Sequence, residues 1–91
     1  MKYEIEYSGE FKKALKRCQK RGLQLDSLKK VITILSEYGE LPAEYRPHIL
    51  SGTYAGIWVC HIKPNWLLLW KQDNTKFTLL FLNTGTHSDL F

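Results

Sequence analysis

An α+β fold, in which an N-terminal strand and a helical hairpin pack on a mainly antiparallel sheet, is predicted for this 91-residue chain by three observations. Residues 2–7 alternate between bulky and charged side chains, the period of a half-buried strand. Two stretches of helical period follow, each closing on a glycine. From His48 onward the pattern turns to apolar runs broken at "SGTYAG", "KPN" and "QDNT".

In the opening strand Tyr3, Ile5 and Tyr7 share one face, and Lys2, Glu4 and Glu6 the other. Ser8 is placed to cap a first helix over about residues 9 to 21. Its apolar stripe is Phe11, Ala14, Leu15 and Cys18, Glu10 suits its positive start, and Gly22 stops it. Asp26 is a candidate cap for a second helix carrying Leu28, Val31, Ile32, Leu35 and Tyr38, ended by Gly39 and Pro42. The loop "GELPAEYRP" leads into three strand-like runs, at about 56–62, 66–71 and 77–82, whose short connections predict an antiparallel meander. The middle run, Trp66–Lys71, is apolar on both faces, as a central strand covered on both sides would be.

Ninety-one residues suffice for one domain spanning 1–91 and no more. The longest apolar stretch, Trp66–Trp70, is far short of a membrane span, and no basic-then-apolar signal segment opens the chain, so a soluble cytoplasmic protein is expected. Cys18 and Cys60 stand far apart without a C-x-x-C pair and read as small buried hydrophobes. Charge is lopsided. Of the net +4, residues 11–30 carry +7 and the remainder −3, which favours a polyanionic partner. Lys12, Lys13, Lys16, Arg17 and Lys20 fill the helix arc opposite the apolar stripe.

The meander has a consequence for the three histidines. Its first strand's end, second strand's start and third strand's end share one edge, so His61, Asn65 and His87 are expected to be neighbours. If "SGTYAG" is a hairpin loop centred between Tyr54 and Ala55, His48 faces His61 and joins them. A metal site is the competing reading, but there is no H-E-x-x-H pair and position 65 is Asn rather than a carboxylate. Imidazoles near neutral pKa in a cationic field suit metal-free RNA cleavage: one takes the 2′-hydroxyl proton, another protonates the leaving 5′-oxygen. Phe91 is available either to stack on a base or to plug the core.

The segments "PHILSG", "CHIKPNWLLLW" and "NTGTHSDLF", with the spacings H-x-L-x-G, C-H-I-x-P-x-W and T-G-T-H-x-x-L-F, resemble the YafQ-like branch of the RelE/ParE toxin superfamily across essentially the whole chain. The resemblance implies a RelE-like fold and a ribosome-dependent mRNA endoribonuclease of a type II toxin–antitoxin pair. It also implies no cofactor, no metal, and a monomer that is neutralised in a hetero-oligomer with a RelB/DinJ-like antitoxin. It places the general acid at His87, assistance from His61 and His48, Asn65 at a catalytic position, and substrate contacts at Phe91, Lys63 and Asn83. The basic helix face becomes a ribosomal RNA surface. Family members commonly carry acids where this chain has Val59 and Asn65, and many carry arginine in place of Asn83, so an attenuated activity is expected. The alternatives are a ribosome-binding toxin that does not cut, or a ParE-like gyrase inhibitor, against which the histidine edge argues.

Overall fold

Tyr3 and the alternating residues after it begin a sheet in the computed structural model, which describes residues 2–91. The elements run β1 (Glu4–Tyr7), α1 (Gly9–Lys20), α2 (Leu25–Tyr38), β2 (His48–Ile49), β3 (Trp58–Lys63), β4 (Trp66–Asp73), β5 (Thr78–Gly85) and α3 (His87–Leu90). Two 3-10 turns, Ala43–Tyr45 and Gly52–Tyr54, flank β2. The sheet order is β1-β5-β4-β3-β2. β1 lies parallel to β5, with Glu4 opposite Thr78, and every other pairing is antiparallel.

Ser8 caps α1 as its position predicts, its hydroxyl accepting from the Phe11 N–H at 3.0 Å. Gly39 ends α2 in the left-handed conformation, φ 71°, and an added Cβ there would meet the buried Tyr3 side chain, its ring at 2.6 Å. Other boundaries differ from expectation. β1 starts at Glu4 because the Lys2 and Tyr3 N–H groups are both taken by the Ser36 carbonyl at the end of α2. Asp26 is not the cap of α2. The helix begins two residues earlier than such a cap implies, at Leu25, after an extended Gln24 that makes no side-chain cap bond, leaving Asp26 in the first turn where its charge still complements the helix dipole. β5 runs three residues past its expected end and takes in Gly85, which therefore lies in strand rather than in a turn.

Parity along β4 divides the core. Trp66, Leu68 and Trp70 face the helices, packing with Phe11, Cys18, Leu28, Val31, Leu35, Cys60, Leu79 and Phe81. Leu67 and Leu69 face the other way and join Val59 in a smaller cluster, covered by Leu50 and Ile57 of the loop and by Leu82 and Leu90. Both cysteines are buried and unpaired.

Thr84 is the buried polar joint of the sheet. Its hydroxyl accepts from Trp66 Nε1 at 2.9 Å and donates to the Leu67 carbonyl at 2.6 Å. Thr84→Val keeps the shape and strands both partners, so we expect a loss of about 2–4 kcal/mol, read as a shift of the urea midpoint. A loss under about 1 kcal/mol would mean the hydroxyl is dispensable.

Candidate functional site

The second face of the sheet carries the histidines because position 61 alternates with the core-facing Cys60 and Ile62. His61 is opposite Leu67, and Leu67 is opposite Gly85, so the strands deliver His61 and the segment leading to His87 to one edge. His48 is opposite Val59, not His61. The 3-10 turn at Gly52–Tyr54 shifts the hairpin's centre, so His48 sits two residues short of His61 yet on the same face.

All three imidazoles line one cleft of ≈ 300 Å³ with Leu50, Val59, Leu67 and Phe91. A larger groove of ≈ 480 Å³ at Ile34, Tyr38, Glu40, Leu41 and Pro42 lies on α2 and the loop after it, but no imidazole lines it. Proton chemistry near neutrality therefore selects the histidine cleft.

The three rings differ in their settings. His61 Nδ1 is sealed from solvent without a hydrogen-bond partner among the described residues, which leaves proton exchange to Nε2. Burial, helped by the charges of Arg46, His48 and His87, pushes the His61 pKa below its ordinary value. His48 Nδ1 lies 3.0 Å from the Arg46 carbonyl; since a carbonyl only accepts, Nδ1 carries the hydrogen and the neutral ring offers Nε2 as an acceptor. His87 is exposed, the first residue of α3, with its ring edge-on to Phe91 at 5.2 Å. Phe91 in turn meets Tyr54 at 5.4 Å and remains 50% exposed, so it closes no core and keeps open surface beside the cleft.

The one-turn α3 was not expected from the sequence. A capping box builds it: the Thr86 hydroxyl accepts from the Asp89 N–H, and the Asp89 carboxylate accepts from the Thr86 N–H. Arg21, just past α1, grips the same carboxylate through two bonds of 2.6 and 3.2 Å. These bonds, Arg21 first and the Thr86 N–H next, hold the Asp89 pKa well below the usual carboxylate range.

The remaining candidates are scattered. Val59 is buried in the cleft wall. Asn65 is exposed in the turn between β3 and β4 and does not line the cleft. Asn83 is opposite Leu69 beside a bulge, on the same face of the sheet as the histidines, but does not line the cleft, and its Oδ1 accepts from the Thr84 N–H. Lys63 lines a neighbouring groove of ≈ 220 Å³ with Glu44, Arg46, His61, Ile62 and Pro64. On α1, Lys12, Lys13, Lys16 and Lys20 are exposed, whereas Arg17 reaches back toward the Thr84 carbonyl at 3.4 Å. Arg46 and Tyr54 are the neighbours sequence reading missed; Tyr54 had a signal, an aromatic in a glycine-flanked turn. Among the described residues no group of three His, Cys, Asp or Glu side chains is disposed to hold a metal ion.

A RelE-like α+β fold with a histidine-lined cleft at one sheet edge defines the class. The chain belongs to the family described as a bacterial toxin of type II toxin–antitoxin systems, YafQ, whose model matches residues 3–91. The mRNA interferase toxin YafQ of Escherichia coli K12 is 40% identical over 89 residues, covering 97% of this chain and 95% of that protein. Among solved structures, the toxin in the E. coli DinJ–YafQ complex superposes with a TM-score of 0.88 at 39% identity, covering 98% of each chain. A metal-bound toxin from Helicobacter pylori does so with a TM-score of 0.88 at 36% identity, covering 98% of this chain and 99% of that one.

Proposed function

We propose that this chain is the ribosome-dependent mRNA endoribonuclease of a type II toxin–antitoxin system, working in the cytoplasm and cleaving without a metal. The carrying observation is that all three histidines border one cleft next to a half-exposed Phe91. Neutral His61, its pKa depressed, takes the proton of the ribose 2′-hydroxyl, with His48 in support through its free Nε2. The 2′-oxygen attacks the adjacent phosphorus, and His87 protonates the departing 5′-oxygen. The products are a 2′,3′-cyclic phosphate and a 5′-hydroxyl end. Phe91 stacks on a base, Lys63 approaches the phosphate from the adjoining groove, and Asn65 and Asn83 offer amides at its margins.

Exposed Lys12, Lys13, Lys16 and Lys20, with Arg17, provide the surface that meets ribosomal RNA phosphates. A DinJ-like antitoxin is the proposed neutralising partner, by likeness to the E. coli complex. A second reading has support: with Val59 in its wall, no Asp or Glu side chain among the described residues lines the histidine cleft, which favours a toxin that cuts slowly or blocks the ribosome without cutting.

Incubation with mRNA-programmed ribosomes, with and without chelator, followed by primer extension, tests the proposal. New 5′ ends that persist in chelator are expected, and Lys12, Lys16 and Lys20 replaced together by alanine should weaken ribosome binding and flatten its salt dependence. Translation arrest without new ends would establish the blocking toxin instead, and loss of gyrase supercoiling in a parallel assay would overturn the nuclease reading.

A further inference from the structure

Among the described residues no side chain of permanent positive charge lines the histidine cleft. RNA cleavage passes through a phosphate crowded with negative charge, and a chain threading the cleft brings further phosphates on either side. Fixed cations lie in the adjoining groove that shares His61 as a wall, where Arg46 and Lys63 stand with Glu44. Among the described residues none of the three is engaged in a salt bridge within the protein. From this, and resting on the RNA-cleavage reading, we infer that the Glu44–Arg46–Lys63 groove is a subsite for the phosphodiester next to the scissile one, with Arg46 as its principal contact.

Arg46 is built into place. It adopts the left-handed conformation, φ 49° and ψ 51°, uncommon for a residue with a side chain, as the cap of the Ala43–Tyr45 turn. Its N–H bonds to the Ala43 carbonyl at 3.0 Å, and its own carbonyl fixes the His48 ring. The backbone of one residue thus orients an imidazole while its side chain lines the neighbouring groove beside His61. Its charge also helps, after burial, to hold the His61 pKa below its ordinary value. Glu44 offsets one of the two cations, so the groove carries a net single positive charge, matched to the single negative charge of an internal phosphodiester. A guanidinium can bind two of its oxygens at once.

The test separates binding from cleavage with a fluorescent 2′-O-methyl RNA hexanucleotide, which lacks the attacking hydroxyl. Arg46→Asn is the informative variant, because asparagine tolerates the left-handed backbone and keeps the carbonyl that holds His48. It should weaken binding by about 10-fold and lower the salt slope by roughly the one contact removed, with the His48 and His61 ring resonances still dispersed as in the native protein. Arg46→Lys should restore the salt slope, and Glu44→Gln should tighten binding. Native affinity and salt slope in Arg46→Asn would overturn the subsite, as would failure of the unmodified protein to bind the oligonucleotide. If the unmodified protein fails to cut ribosome-bound message but Arg46→Asn still loses oligonucleotide binding, the nuclease reading falls and the groove stands only as an RNA phosphate site.

Discussion

His87→Ala is expected to lower cleavage of ribosome-bound message by about 10²–10⁴-fold, the range a displaced acid–base group commands, while leaving the melting temperature nearly unchanged. The ring is exposed at the start of α3 and its packing partner is Phe91, so its removal opens no buried cavity. The same pairing of roles sets a pH dependence. Burial first, then the charges of Arg46, His48 and His87, lower the His61 pKa below its ordinary 6.5. Protonation of the unfolded chain at this site begins near 6.5 and of the folded chain lower. The neutral ring's contribution to stability is therefore complete above about pH 6.5 and is lost as pH falls below it. His61 thus remains a neutral base throughout the neutral range, and the acid limb of kcat/KM should lie below 6.5. An NMR titration of its ring protons measures the same quantity directly; a midpoint at or above 6.5 would remove His61 from the base role, and wild-type cleavage by His87→Ala would remove the acid.

Periodicity carried the elements whose partners are local. Tyr3 before β1 and Ile5 within it, both turned to the core, the Phe11–Ala14–Cys18 stripe of α1 and Gly39 after α2 were legible because each depends on a repeat or a stop signal within one turn. Asp26 misled because a capping residue and a first-turn acid look alike in sequence, the distinction depending on where the backbone turns extended, here at Gln24. The parallel pairing of β1 with β5 joins residues more than seventy positions apart, and no local pattern encodes it.

At the site, strand order was the legible part, bringing His61 toward His87, whereas the face His61 takes, opposite Cys60, follows from alternation along β3 that was not used. The hairpin register was misjudged because the loop was centred between Tyr54 and Ala55, whereas His48–Val59, Ile49–Trp58 and the Leu50–Ile57 bond all centre between Thr53 and Tyr54, one residue earlier, within the Gly52–Tyr54 turn. Arg46 was invisible since its relevance comes from a left-handed backbone and a groove formed with β3. α3 was readable in principle: Thr86 followed three residues later by Asp89 is a capping box, but it spans a single turn and no apolar stripe follows it.

Gly85→Val is expected to cost about 10²-fold in cleavage and about 1–3 kcal/mol in stability, through geometry rather than through any contact with substrate. Gly85 closes β5 at φ 154°, in a region side chains rarely adopt, and an added Cβ would stand 2.7 Å from Asp89 Oδ2. That oxygen cannot yield freely, being held by Arg21 at 2.6 Å and by the Thr86 N–H at 2.9 Å. Displacing it undoes the capping box and the link to α1 together, and α3, which presents His87, loses its two anchors. The clamp is intact at neutral pH: with the Asp89 pKa depressed by these bonds, its stabilisation is complete above the ordinary carboxylate pKa of about 3.9 and is lost as pH falls below it. Asp89→Ala removes the carboxylate without crowding Gly85 and should also slow cleavage. A double-mutant cycle decides the mechanism, because the steric conflict needs both groups: Gly85→Val should cost clearly less in an Asp89→Ala background than alone. Equal costs in both backgrounds would locate the damage in the strand backbone, and native cleavage by Gly85→Val would show that His87 does not depend on the clamp.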